Sequence, residues 1–404
     1  TRTHQEQGLL KQAFSFVGVN DPYETDQLDV PSRILMGPGP SMISPRVRQA
    51  MSAPALGYMD PEFLDVLNDI QELLRYTFQT DNEWTLAISG TGTAAMEASI
   101  GNLVEPGDTM LVRTNGYWGD RMAQMARRVG GEVVPLDVSG TAPVEPGDVE
   151  AAFAEHDIDV FGFCHADTTT GIRQPNVSEL ADIARDHDAY TIMDCVTSLS
   201  GVEVRVDEWG VDAAYGSPQK CLSCTPGVTP MTVNDRAREK ILNRGTEPTS
   251  WYLDLADVMG YWGDDPSYHH TPPTSGLYGL REALRMVAEE GLEQRWERHR
   301  EVAGELVAGL ERLGLELFPD REHWLPSLNT IRVPDGVDDT AVIEFLLSEY
   351  DIEIAGGLGD LSGELWRIGC MGHSARRQNV ATLLYAMQEA LEAQNYDTGE
   401  PIEI

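Results

Sequence analysis

Lysine is nearly absent from this chain. Its 404 residues include three lysines, Lys11, Lys220 and Lys240, and arginine supplies the rest of the basic charge. Bases of either kind are few: 29 Lys and Arg stand against 66 Asp and Glu, a formal charge of −37. That balance argues against nucleic acid and an anionic membrane surface as partners. No apolar run approaches the length of a transmembrane helix. Cysteine is sparse and odd in number: Cys164, Cys195, Cys221, Cys224 and Cys370. With no basic and apolar leader pattern at the start of the chain, these read as reduced thiols of a cytoplasmic protein. Cys221 and Cys224 form one C-x-x-C pair without a second, and two buried thiols are a better reading than a redox or metal half-site. No metal is expected, since the adjacent His269 and His270 point in different directions. The acid is spread along the chain rather than gathered in a tail. That suits the solvated surface of a halophilic protein, whose self-repulsion is screened by salt.

Among so few lysines, Lys220 stands in a turn of small residues and proline, Ser217-Pro218-Gln219-Lys220. Arginine does not lose its proton, so it is neither a nucleophile nor an imine former; lysine is both once its pKa falls. A plain surface lysine is the alternative, and the rest of the chain has to decide between them.

The length suits two domains. Residues 1–32 are polar and irregular and read as an arm. Residues 33–290 alternate strand and helix, the rhythm of a mainly parallel α/β sheet. Strands are expected at 33–36, 84–88, 109–113, 132–136, 160–164, 190–194 and 228–233. A proline-capped helix follows Ser44, and Phe63, Val66, Leu67, Ile70, Leu73 and Leu74 space a helix over 61–79. Residues 115–119 read as a glycine-flanked loop, and 246–276 are rich in aromatic residues, Asp, Gly and Pro. From 291 to 404 a long amphipathic helix, further strands near 329–333, 352–355 and 365–368, and a closing helix form a smaller α+β domain.

In parallel sheets ligands sit beyond the carboxyl ends of the strands. Three features collect there. Ser89-Gly90-Thr91-Gly92-Thr93 is a strand, a glycine turn and a helix start, which suits a phosphate as well as an ordinary tight turn. Trp118, in the glycine-flanked Asn115-Gly116-Tyr117-Trp118-Gly119, is either a core aromatic or a stacking platform. Asp194 closes the apolar run Tyr190-Thr191-Ile192-Met193, where a buried acid needs a cationic partner unless it caps the next turn. One cofactor asks for all of these types: pyridoxal phosphate needs a lysine, a carboxylate near its pyridine nitrogen, a phosphate cradle and a flat face. A dinucleotide fingerprint over Gly90, Gly92 and Ala95 is set aside, because the next strand ends in Arg113-Thr114-Asn115 instead of an acid.

The ordered set of motifs resembles the class V, fold-type I pyridoxal-phosphate aminotransferases, in particular the alanine–glyoxylate and serine–pyruvate aminotransferase group. The stretches that carry the resemblance include Gly37-Pro38-Gly39-Pro40-Ser41, the glycine turn with Met96-Glu97-Ala98, Glu105-Pro106-Gly107-Asp108 and Asn115-Gly116-Tyr117-Trp118-Gly119. Gln219-Lys220, Tyr268-His269-His270-Thr271 and Arg367-Ile368-Gly369 follow in order. The resemblance implies that Lys220 forms the imine and acts as proton-transfer base, and that Asp194 pairs with the ring N–H. It further implies Thr91, Gly92 and Thr93 on the phosphate with Gln219 nearby, Trp118 and Val196 on the two ring faces, and Thr169 on the 3-hydroxyl side. Arg367 and Gly39 would meet the substrate. Tyr268 and Thr271 would reach the phosphate of the other subunit of a homodimer. The substrates implied are a small L-amino acid, alanine or serine, and a 2-oxo acid, glyoxylate or pyruvate. Ureidoglycine–glyoxylate aminotransferase is an alternative, as is a cysteine desulfurase or lyase using Cys370, although that group usually has His where Gln219 stands. Relatives often carry His at the position of Thr93, and His-Gly-Glu-Ser-Ser-Thr-Gly at His165-Ala166-Asp167-Thr168-Thr169-Thr170-Gly171.

Overall fold

The computed structural model describes residues 28–114, 116–138, 142–263 and 265–399. Most of the arm expected over 1–32 lies outside these. The chain divides into residues 1–33 and a second unit, Ile34–Ile404. Twelve strands are described: β1 (Ile34–Leu35), β2 (Trp84–Ser89), β3 (Thr109–Arg113), β4 (Glu132–Leu136), β5 (Val160–Cys164), β6 (Tyr190–Asp194), β7 (Ala213–Tyr215), β8 (Val228–Val233), β9 (Leu328–Arg332), β10 (Ile352–Glu353), β11 (Ala355–Gly356) and β12 (Leu365–Gly369).

Seven of them form the central sheet in the order β2-β8-β7-β6-β5-β3-β4. The pairs β4–β3, β3–β5, β5–β6 and β6–β7 are parallel. The mainly parallel sheet expected from the alternation is therefore present, with β8 running against both of its neighbours. β5, β7 and β8 are apolar and buried along nearly their whole length, as strands covered on both faces must be. At the end of the sheet away from the site, buried Asp212 accepts from Thr191 N, Asn234 Nδ2 and Arg236 Nη1. It is a structural carboxylate that ties β6 to the segment after β8.

Helix boundaries follow local chemistry. Ser44 caps Pro45–Met51 by accepting from Arg46 N, and Asp60 caps Pro61–Phe78 by accepting from Glu62 N. Such caps are worth ~1 kcal/mol each. Two expectations need correction, and one unassigned stretch is resolved. Trp118 is not in a loop: a helix runs Tyr117–Arg128, with Gly116 at its start in a positive-φ conformation (127°) that a side chain would strain. The stretch 246–276, left without an assignment by its composition, contains a helix, Leu255–Trp262. The strand expected at 352–355 is divided into β10 and β11, which join different sheets.

Two large hydrophobic cores and a small one around Cys221 and Met371 are built among the described residues. The first packs the central sheet and its flanking helices, from Val47 to Leu292. The second joins Val302, Leu306 and Leu310 of helix Leu292–Arg312 to β9, β12 and helix Arg377–Glu392, and takes in Met36. Met36 reaches it because β1 pairs in parallel with β10 and Gly369 N donates to Met36 O. The loop 37–41 is thereby led from this second core toward the carboxyl ends of the central strands.

Candidate active site

The carboxyl ends of β2, β5, β6 and β7 surround one cavity of about 260 Å³. Thr91, Gly92 and Thr93 enter from the turn after β2, Trp118 from the helix after β3, Asp194 and Val196 from the end of β6, and Gln219 and Lys220 from the turn after β7. Eight residues singled out from the sequence thus meet at one place.

Lys220 is 9% exposed. Its Nζ donates to Pro38 O, and burial pulls its pKa down to about 8 from 10.5. A buried amine sheds its proton more readily because the charged form loses water. The plain surface lysine is ruled out. The turn is held by Ser41, 179 residues upstream, whose Oγ donates to Lys220 O at 2.6 Å and whose N donates to Gln219 O at 2.8 Å. Gly39 lies against the lysine stem, at a φ of 116°; a Cβ there would come within 2.7 Å of Lys220 Cδ and 2.8 Å of Nζ.

Asp194 is buried at the end of β6, in register with Cys164 on one side and Tyr215 on the other. Its Oδ1 accepts from Val196 N at 2.8 Å, so it does cap its own turn, and its Oδ2 accepts from Tyr215 Oη at 2.9 Å. Burial nevertheless raises its pKa to about 6 from 3.8, against the opposing pull of both hydrogen bonds and of Lys220. A carboxyl held this way has lost its water and has no ion-pair partner among the described residues, a partner that a cationic ring nitrogen would supply.

The phosphate cradle is open. Helix Gly92–Leu103 starts behind Thr91 with no side-chain cap, so its first N–H groups and dipole are free to meet an anion. A Cβ on Gly92 would stand 3.4 Å from both Ser217 Oγ and Val196 Cγ2. Trp118 Nε1 and Thr169 Oγ1 are buried without a hydrogen-bond partner. Open helix N–H groups, a flat indole with an orphaned N–H, a buried hydrogen-bonded carboxyl and a low-pKa amine around one cavity fit pyridoxal phosphate.

Not every expected residue lines the cavity. Thr168 does, and its neighbour Thr169 does not. Asp167 accepts from Thr169 N and from Thr170 Oγ1, which fixes how this loop presents its hydroxyls. Arg367 is buried and turned inward: Nε donates to Gly356 O at 2.7 Å and Nη1 to Thr168 O at 3.2 Å. Tyr268 is 57% exposed and bonds to Thr271 Oγ1 at 3.0 Å, away from the cavity of its own chain. His269 and His270 meet Nδ1 to Nδ1 at 2.8 Å, and His270 Nε2 bonds Ser89 Oγ at 2.6 Å.

Sequence reasoning missed Arg121. Its guanidinium lies 4.6 Å from the Tyr117 ring centre and 5.1 Å from that of Trp118, with Nη1 3.5 Å from Thr93 Oγ1. It steadies the indole and adds positive charge beside the cradle. The spacings 117–121 and 118–121 are those of residues sharing a helix face, which is the signal that could have found it.

Comparison with known proteins gives the same picture. The family model described as aminotransferase class V matches residues 48–363. An alanine–glyoxylate aminotransferase of Drosophila melanogaster is 43% identical over 91% of this chain and 94% of its own. An (S)-ureidoglycine–glyoxylate transaminase of Bacillus subtilis is 37% identical over 91% and 93%. The crystal structure of an alanine–glyoxylate aminotransferase from Nostoc sp. superposes with a TM-score of 0.90 at 44% identity, covering 93% of this chain and all of that one. A buried lysine and a buried aspartate at the ends of adjacent strands, in a chain matched this fully, leave one conclusion: it belongs to the class V aminotransferases.

Proposed function

We propose that the protein moves the amino group of a small L-amino acid, alanine or serine, to glyoxylate or pyruvate. The observation that carries this reading is the buried Lys220, with its pKa near 8, sharing one cavity with Asp194 and the open helix start at Gly92. Two relatives at 43% and 39% identity named alanine–glyoxylate aminotransferase support the substrate pair.

Pyridoxal phosphate, the cofactor of this family, supplies the carbon that accepts an amino group and the ring that stores the electron pair. The chain's own residues do the rest. Lys220 Nζ, about a tenth neutral at pH 7, takes the proton from the substrate Cα and returns it on the other side of the reaction. Asp194 holds the proton on the ring nitrogen, and Tyr215 and Val196 N hold Asp194. The helix start at Gly92 binds the phosphate. Arg367, planar and two-pronged, takes the substrate carboxylate. Arg367 already donates to two carbonyls, so lysine in its place would lose at least one of these contacts.

The working unit in this proposal is a homodimer whose sites are shared. The exposed Tyr268, bonded to Thr271, supports this as a pair of hydroxyls presented outward. A salt-rich cytoplasm is proposed as its location. The five thiols are all free and four of them are fully buried, which suits a reducing compartment, and the charge of −37 suits high salt. No helix among the described residues is long and apolar enough to cross a membrane.

A second reading, ureidoglycine–glyoxylate transamination, shares the acceptor and is favoured by the Bacillus subtilis relative. A panel of alanine, serine, aspartate and (S)-ureidoglycine against glyoxylate and pyruvate separates the two. Turnover is expected with alanine or serine. Turnover with ureidoglycine alone would transfer the assignment to the second reading. Lys220→Ala should lose at least about 10³-fold in turnover while still binding the cofactor; normal turnover by that variant would sink both readings.

A further inference from the structure

A second cavity, of about 310 Å³, shares no lining residue with the first, yet its wall includes Leu222 and Ser223, just past the catalytic lysine. Its charged lining is Arg295, Arg298, Arg376 and a single acid, Glu290, with His373 beside them. In a chain with 66 acids and 29 bases, such a concentration of guanidinium groups is against the general composition.

The one acid is fully used. Glu290 Oε2 accepts from Arg295 Nη1 at 2.6 Å and Arg298 Nη2 at 3.1 Å, and Oε1 accepts from Arg298 Nε at 2.5 Å. Three guanidinium groups against one carboxylate leave positive charge in excess. Arg295 is 5% exposed, and its buried Nε has no acceptor, a costly state for a donor. Arg376 donates to the ring of His373 and has no carboxylate partner among the described residues. Arg376 also precedes helix Arg377–Glu392, which starts without a side-chain cap and so adds the positive end of its dipole. The field is felt by His373, whose pKa is lowered to about 4, by burial first and then by Arg376, Arg298, Arg295 and Arg48.

We propose that this cavity is a binding site for a small oxyanion, held by Arg376 and the unpaired side of Arg295. Guanidinium groups take phosphate and carboxylate oxygens equally well in two-pronged geometry. The site is joined to the lysine turn. Arg295 Nη2 donates to Cys221 O at 2.5 Å. Ser223 Oγ accepts from His373 N at 2.7 Å and lies 2.9 Å from Ser41 Oγ, which donates to Lys220 O. Arg295 would thus hold the anion through Nε while its Nη2 holds Cys221 O, one residue from the catalytic amine.

The test uses the holoenzyme, whose cofactor already fills the other phosphate site. Inorganic phosphate and, separately, succinate are titrated at constant ionic strength while the His373 ring signals are followed by NMR. Saturable binding is expected, with the His373 pKa rising above about 4 as the anion offsets the arginine part of the shift. Saturation by phosphate alone, by succinate alone or by both supports the site and identifies the oxyanion it prefers. Arg376→Gln should weaken binding by about tenfold or more. Arg46→Gln, whose arginine is bonded instead to Glu282 and Glu289, should leave it unchanged. Melting temperatures of both variants check that each is folded. No saturable response to either anion, or equal responses in Arg376→Gln and Arg46→Gln, would overturn the proposal.

Discussion

Tyr215 donates its phenol proton to Asp194 Oδ2 at 2.9 Å from the strand directly beside it. This bond favours the charged carboxylate, and burial opposes it more strongly, leaving the pKa at about 6 against 3.8 for an unburied aspartate. A carboxyl whose folded pKa is raised binds its proton more tightly in the folded state. Its contribution to stability is present below pH 3.8 and is lost as pH rises through about 6. The loss is of order 3 kcal/mol at most. Tyr215→Phe removes a donor to the charged form and should move the loss to higher pH and deepen it, by about 1 kcal/mol. Melting temperatures of the two apoproteins from pH 4 to 8 test this; parallel curves would refute it.

Lys220 has the opposite sign. Its folded pKa of about 8 is below the ordinary 10.5, so the folded state gives up this proton first, and stability rises with pH between those values. Only the neutral amine attacks a carbonyl. The rate at which apoprotein captures pyridoxal phosphate should therefore climb as pH approaches 8 and level off above it. Stopped-flow absorbance measures this directly, and a rate independent of pH from 6 to 9 would contradict the assignment.

Gly39→Ala places a methyl on the lysine. The added carbon would fall within 2.9 Å of three Lys220 atoms, on backbone whose φ of 116° already disfavours a side chain. Displacing a reacting atom by about 1 Å costs on the order of 10²-fold in rate. A loss of that size in kcat is expected, with the melting temperature changed far less. Wild-type kcat in a folded Gly39→Ala would show that Lys220 moves aside freely.

Cys370 separates transamination from sulfur chemistry. It is fully buried, and burial pushes its thiol up to about 12, so almost no thiolate exists at neutral pH. Cys370→Ala should retain transaminase turnover within about threefold, with a small cavity penalty of ~1 kcal/mol in stability. Sulfide release from L-cysteine that disappears in this variant would point to the desulfurase reading instead.

What could be read from the sequence divides along physical lines. The alternation of strands and helices exposed the sheet, because burial on both faces writes apolar runs into the chain. Lys220 and Asp194 stood out because each was chemically out of place, one as a rare amine and the other as an acid ending an apolar strand. The direction of β8 was hidden, since a buried strand has the same composition in either orientation. Trp118 reads as a loop residue because Gly116 and Gly119 flank it, and glycine signals turns whether or not a helix starts between them. The choice between Thr168 and Thr169 could not be made from spacing: it rests on Asp167 binding Thr169 N and Thr170 Oγ1. The arginines of the second cavity lie on segments far apart in sequence, Arg295 and Arg298 on one helix and Arg376 before another.

The bonds from Ser41 to the lysine turn have a consequence for the order in which the enzyme becomes competent. Ser41 leaves the ribosome nearly 180 residues before the carbonyl it grips, and the stretch just before it is fixed later still, as Ile34 N and Met36 N donate to Asp351 O and Glu353 O and Gly369 N reaches Met36 O. A nascent chain can therefore complete its central sheet while its catalytic amine is still unanchored. Activity waits for β12, so a chain cut short before it should fold its large core and remain inert.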